Sequence, residues 1–274
     1  MQQFSVSPRE LIASFWRNRE LTLALTRREV LGRYRGSALG ILWSFVNPLF
    51  MLAVYTFVFS VVFKARWGGG NGSGSKAEFA LVLFAGLIVF NLFAECINRS
   101  PDLILRNANY VKRVVFPLEI LPWVAIGSAL FHAMISLLVW LIFYAILFGL
   151  PKLTILLLPG VILPTILLIA GLCWFFSALG VYLRDISQVT TILVTVTMFM
   201  TPIFYPSSAL PANFKPLLFL NPLTPTLEQF RGILMWGQVP NPKVWLLYLV
   251  ISALVAWLGF AWFQKVRRGF ADVL

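Results

Sequence analysis

Residues 155–183 read ILLLPGVILPTILLIAGLCWFFSALGVYL, 29 positions without a charged side chain. A helix rises about 1.5 Å per residue, so roughly 20 apolar residues cross the ~30 Å hydrocarbon core of a bilayer. A helix satisfies its own backbone groups in lipid, so a run of this length and composition predicts a transmembrane helix. Five further runs obey the same rule, at about 39–63, 79–98, 119–148, 187–204 and 244–263. The expected fold is an all-α integral membrane protein whose six spans form one transmembrane domain over 39–263. None of the six carries a charge at its middle. Ion-driven transporters and proton relays usually keep ionisable groups at membrane depth. The empty middles therefore disfavour a secondary transporter, and any transport work has to be powered from outside this chain.

Composition agrees. Of the 274 residues, 59% are hydrophobic and 12% charged, whereas a soluble domain has about 25% charged residues. The net charge is +12, from 22 basic and 10 acidic residues. The basic residues flank apolar runs, so the expected partner is an anionic lipid surface rather than nucleic acid. If both termini lie on the cytoplasmic side, the inner segments hold 15 Lys and Arg and the outer loops seven. The positive-inside rule selects that orientation, which also makes 264–274 a cytoplasmic tail. No short apolar core with a small-residue cleavage site opens the chain, so no cleaved signal peptide is expected. Cys96 and Cys173 lie in or beside spans and suggest neither a disulfide framework nor a zinc site.

Residues 1–38 predict an amphipathic cytoplasmic or interfacial segment. Ser7-Pro8-Arg9-Glu10 has the form of a capping box with proline at the first helical position. Leu11, Ile12, Phe15 and Trp16 then recur at helical spacing among seven arginines, as in a helix lying in the headgroup layer; docking on a cytoplasmic partner is the alternative. Gly32, Gly36 and Gly40 are spaced by four, which reads either as a small-residue helix contact or as a bend into the first span. The loop 99–118 holds Arg99, Asp102, Arg106, Lys112 and Arg113. Its residues 101–110 read as a short amphipathic helix through Leu103, Ile104 and Tyr110, or as a solvated loop. The outer segment 205–243 alternates prolines with apolar stretches too short to span. Re-entrant or interfacial half-helices before the sixth span are the economical reading. The stretch GGGNGSGS at 68–75 lacks the glycine before Lys76 and the Ser or Thr after it that a phosphate-binding loop requires, so it reads as a linker.

The fifth span is short and rich in threonine (Thr190, Thr191, Thr195, Thr197, Thr201), which suits back-bonding, a polar path or a helix contact. His132 is the single histidine, without an acidic neighbour on its own helical turn. It reads as an interhelix contact rather than a proton shuttle. Glu95, Glu119 and Asp185 fall at span ends, with Arg184-Asp185 expected as a local ion pair. Aromatics are 15% of the chain. Tyr55, Phe57, Phe59 and Phe63 in the first span either face lipid or line a passage for sugars. No Ser/His/Asp, Cys/His or metal constellation stands out.

Arg28-Glu29-Val30-Leu31-Gly32-Arg33-Tyr34-Arg35-Gly36-Ser37-Ala38-Leu39-Gly40-Ile41-Leu42-Trp43, ending in Asn47-Pro48-Leu49, resembles the opening of ABC-2 type permeases for polysaccharide export. The same is true of the blocks from Lys112 to Pro122, Tyr182 to Ile186, Thr201 to Tyr205 and Leu220 to Pro225, in order over nearly the whole chain. The resemblance is greatest to exporters of O-antigen and related lipid-linked polysaccharides. It implies a homodimer of six-helix subunits joined to two copies of a separate ATP-binding subunit. That partner would bind ATP and Mg, and this chain would carry no cofactor, metal or catalytic site. A channel at the dimer axis would be formed largely by the first and fifth spans, giving Tyr55, Phe59, Thr191, Thr195 and Phe199 as lining candidates. The cargo would be a glycan on undecaprenyl diphosphate, crossing the bacterial inner membrane. Arg33 and Arg35 are candidate contacts to its diphosphate, since a guanidinium binds phosphate bidentately. Asp102, Arg106, Asn109 and Tyr110 would couple to the ATPase, and Phe219, Phe230, Met235 and Trp236 would gate the periplasmic exit.

Other readings stay open at this point: an ABC-2 permease for capsule, teichoic acid, a drug or a small lipid, and a membrane-bound glycosyl or phosphoryl transferase. The transferase would need acidic residues at a cytoplasmic site, where Asp102 and Asp185 stand alone.

Overall fold

A computed structural model of the chain describes residues 5–58, 76–111, 116–211, 213, 218 and 221–274. Among these residues there is no strand. The helices are α1 (Pro8–Arg17), α2 (Arg19–Arg33), α3 (Trp43–Tyr55), α4 (Lys76–Arg99), a single turn α5 (Ala108–Val111), α6 (Leu121–Phe148), α7 (Leu158–Tyr182), α8 (Ile186–Met200), α9 (Thr224–Arg231), α10 (Pro242–Val266) and α11 (Phe270–Val273). Among the described residues, five helical runs are long and apolar enough to cross a membrane: Gly40–Val58, Lys76–Asp102, Leu118–Phe148, Leu153–Tyr182 and Pro242–Val273. The predicted fifth span is shorter than expected. Its helix stops at Met200 after 15 residues, about 22 Å. Pro202 supplies no backbone donor and pushes Thr201 into an extended conformation (ψ 137°).

Helix α4 is the centre of the bundle. Every side chain from Phe79 to Phe90 is buried, and α6, α7, α8 and α9 all pack on it. Helices α7 and α10 form the most extensive pair, because glycines let their backbones meet. A Cβ on Gly259 would collide with the carbonyl of Gly171, and one on Gly171 with the carbonyl of Val255. The ladder Gly32–Gly36–Gly40 makes no such contact. Gly36 (φ 83°) and Gly40 (φ 50°) instead turn the chain between α2 and α3, the conformation glycine adopts most cheaply.

At the end of the bundle where α1 and α2 pack, Ser7 Oγ accepts the Glu10 N–H (3.2 Å), with Pro8 at the first position of α1. The Glu10 carboxylate turns to Arg17 (2.6 Å) rather than back to the cap. Helix α2 runs along the start of α6: Leu25 packs with Ile120 and Val124, and Thr26 fills the space over Gly127. Ser14 donates to Glu119 (3.0 Å), whose carboxylate also pairs with Arg267 (2.6 Å); Glu119 is buried and Arg267 half-buried. One ionic joint thus ties α1, the head of α6 and the end of α10.

Two local expectations change. Residues 100–111 form short 3-10 turns (Ser100–Asp102, Leu105–Asn107) and the single turn α5, not one helix over 101–110. Pro101 lacks a donor, and Leu103 and Ile104 are drawn into the core, so the chain follows the bundle instead of a helical axis. Arg184 and Asp185 are exposed and form no ion pair with each other; two adjacent charges in water gain little by closing on each other. Phe59, Phe63, Lys112, Arg113, Phe219 and the linker 68–75 lie outside the described residues.

Gly259→Ala is expected to lower the thermal unfolding midpoint in detergent, at a cost of about 1–3 kcal/mol for overpacking. Gly160→Ala on α7, where nothing lies within 4 Å, should leave it within a degree or two.

Candidate functional site

Among the described residues, polar assemblies interrupt the apolar bundle in several places, three of them at or near the candidate site residues. The first is a cleft of about 510 Å³ between the α2–α3 bend, α3, α4 and α6. It exists because α4 changes character along its length. Past Phe90, Asn91 and Asn98 are exposed and Glu95 is part-buried, at spacings of four and three. This places one polar stripe on an otherwise covered helix. Facing it are Ser44 and Asn47 on α3, and His132 and Ser136 on α6. Trp43 and Tyr55 add aromatic walls.

Glu95 organises the cleft's inner edge. Its carboxylate takes Arg33 Nη1 at 2.5 Å and lies 3.1 Å from His132 Nδ1, with Arg99 Nη1 at 3.4 Å. Arg99 also pairs with Glu29. Tyr34 Oη is 3.0 Å from His132 Nε2. Burial raises the Tyr34 phenol above its ordinary value, so it stays protonated beside Nε2. His132 Nδ1 also lies 3.2 Å from Arg33 Nη1. The histidine is an interhelix contact, as expected, but its acidic partner comes from α4 rather than from its own helix.

The second assembly is a hollow of about 370 Å³ at the α2–α3 bend, lined by Arg28, Leu31, Gly32, Tyr34, Arg35, Gly40 and Ile41. Arg28 donates to Tyr110 Oη (2.8 Å). Arg35 is exposed, and no hydrogen bond or ion pair engages its side chain among the described residues. Of the two arginines expected at a diphosphate, Arg33 is thus tied to Glu95, whereas Arg35 is open. Tyr34 lines both the hollow and the cleft.

The third assembly is at the opposite end. Arg231 is fully buried and donates to the carbonyls of Val82 (2.9 Å), Pro202 (2.5 Å) and Ile203 (2.8 Å). It fastens α9 to α4 and to the chain where α8 breaks. Charge counting places this arginine in an outer loop. The signal for burial was its setting between Phe230 and Gly232-Ile233-Leu234, in a segment already read as entering the membrane. Phe230 and Met235 are buried with it and Trp236 is half-buried, so these gate candidates pack on α4 and α6.

The remaining candidates are spread over the surface. Thr191, Thr195 and Phe199 form an exposed stripe on α8, and both hydroxyls donate to carbonyls one turn back (2.9 Å each). Tyr55 is half-buried against Phe204. Asp102 and Arg106 pair at 3.1 Å, Asn109 is exposed, and Tyr110 stacks on Phe116. Among the described residues no cluster of His, Cys, Asp and Glu could hold a metal. Cys96 and Cys173 are free thiols, buried side by side.

The sequence profile of ABC-2 type transporters matches residues 20–235, most of the chain and all three assemblies. The chain belongs to the ABC-2 type transporter family. Among its relatives, the O-antigen export system permease protein RfbA of Myxococcus xanthus is 26% identical over 264 residues, covering 96% of this chain and 98% of that protein. An RfbA of Klebsiella pneumoniae is 25% identical, over 93% of this chain and 95% of its own. The polysialic acid transport protein KpsM of Escherichia coli is 27% identical, over 88% and 91%. This ABC-2 protein is accordingly a multi-pass membrane permease.

Arg231→Met is expected to destabilise the protein by about 1–3 kcal/mol for each carbonyl left unpaired. Arg231→Lys, whose single ammonium replaces the planar fork of donors, should recover only part of the loss. Thermal unfolding of the purified variants in detergent checks both.

Proposed function

We propose that this ABC-2 permease exports a polysaccharide of the O-antigen type, linked to undecaprenyl diphosphate, across the bacterial inner membrane. The observation that carries the reading is the near end-to-end similarity to permeases named for O-antigen export. In this reading the permease is a homodimer, driven by two copies of a separate subunit that binds ATP and Mg. The lack of mid-span charge in the six apolar runs supports an external motor. Both termini face the cytoplasm, in keeping with the basic excess of the inner segments.

The exposed faces of α3 and α8 support a channel built across the dimer axis. In α3 only Ser44 and Leu52 are buried, and α8 leaves Thr191, Thr195 and Phe199 uncovered. Ile12 and Trp16 of α1 project from the bundle as an apolar edge, suited to the inner headgroup layer. The hollow holding Arg28 and Arg35 would take the diphosphate at that level, with Arg35 as the free guanidinium and Arg33 beside it. Arg106, Asn109 and Tyr110 would meet the ATP-binding subunit, and the Phe230–Trp236 segment would close the outer exit. The KpsM relative supports a second cargo, a capsular polysaccharide.

Deleting the gene in its host is expected to remove the glycan from the cell surface and to leave undecaprenyl-linked glycan on the cytoplasmic side. Loss of capsule with surface O-antigen intact would move the assignment to the second cargo. Unchanged surface glycan would overturn both. Complementation with Arg35→Ala, at normal protein level, should restore export poorly. A tagged copy should co-purify with an ATP-binding subunit.

A further inference from the structure

We propose that the cleft between α3, α4 and α6 is a saccharide subsite, holding the sugar next to the diphosphate of the lipid-linked cargo. The inference rests on the export reading and adds a place and a chemistry to it. Three observations converge on the cleft. First, Asn47, Asn91 and Asn98 project into it, and no hydrogen bond to protein engages their amides among the described residues. Polar side chains on apolar membrane helices are costly unless they meet water or a polar ligand. A primary amide both donates and accepts, which matches sugar hydroxyls that do the same.

Second, the charges of the cleft are already spent on each other. Arg33 and Arg99 meet Glu95, and Arg99 also meets Glu29. An anion would have to displace a carboxylate, whereas a neutral polyol would not. Trp43 and Tyr55 provide apolar faces against which the C–H face of a pyranose can lie. The volume, about 510 Å³, falls within the ~300–1,000 Å³ range of small-molecule sites. Third, the cleft and the Arg28/Arg35 hollow share Tyr34. A lipid diphosphate in the hollow places its next covalent neighbour, the first sugar, at the mouth of the cleft. The division of labour is then physical: free guanidinium for phosphate, amides and aromatics for sugar.

The test uses the permease with its ATP-binding partner in lipid nanodiscs. Stimulation of ATP hydrolysis is titrated with two lipids, undecaprenyl diphosphate and the undecaprenyl-linked glycan extracted from the deletion strain. The readout is the ratio of the two half-stimulating concentrations, which a fraction of misfolded protein does not alter. The wild type should favour the glycosylated lipid by about tenfold or more, and Asn91→Leu and Asn98→Leu should bring the ratio close to one, while Asn91→Gln retains part of it. A preference that survives both leucine variants overturns the subsite and leaves export standing. Equal response of the wild type to both lipids does the same. Response of the wild type to neither lipid overturns the export reading, and the subsite with it.

Discussion

Hydrocarbon offers no hydrogen bonds, and that constraint orders this protein. A polar group carried to membrane depth has to find its partner in the protein or open onto water. The chain meets the requirement in several ways. Threonine hydroxyls on α8 bond to carbonyls one turn back. The indole N–H groups of Trp140 and Trp174 donate to the carbonyls of Leu81 (2.9 Å) and Glu119 (3.0 Å). Where α8 breaks at Pro202, Arg231 supplies donors to the carbonyls there. A proline-broken helix end in lipid would otherwise leave those groups bare, so the break and the buried arginine belong together.

The same constraint gives meaning to the place where it is not met internally. Helix α4 is enclosed from Phe79 to Phe90 and then opens along Asn91, Glu95 and Asn98. Glu95 is fully engaged by Arg33, Arg99 and His132. The asparagines are not, and their amides face a cleft rather than a neighbour. Rigid supports surround this open face. The Glu119–Arg267 joint fixes the head of α6, and the glycine contact of α7 with α10 fixes the frame behind it. By contrast α3 and α8, which flank the open regions, bury few side chains within the subunit. The molecule combines a solid half with two helices free to engage other surfaces.

Much of this was legible in order along the chain. Uninterrupted apolar length specified the membrane helices, and their expected ends at 98, 148 and 183 fall within about one residue of the observed Arg99, Phe148 and Tyr182. Ser7 and Pro8 marked the start of α1. The glycine ladder was ambiguous because spacing by four suits both a close helix contact and a turn; positive φ at Gly36 and Gly40 decides for the turn. Residues 101–110 had the periodicity of a helix, but burial of Leu103 and Ile104 against the bundle outweighed that local preference.

The sequence by itself determined the all-α membrane class and the long apolar helices, because apolar length acts locally and is read one segment at a time. Which polar groups meet was decided only by the tertiary structure. Glu95 and His132 are 37 residues apart, and Arg231 lies 149 from Val82. No pattern along one helix records such pairings. They arise when helices cross and polar groups, denied water, take the partners that the packing brings within reach.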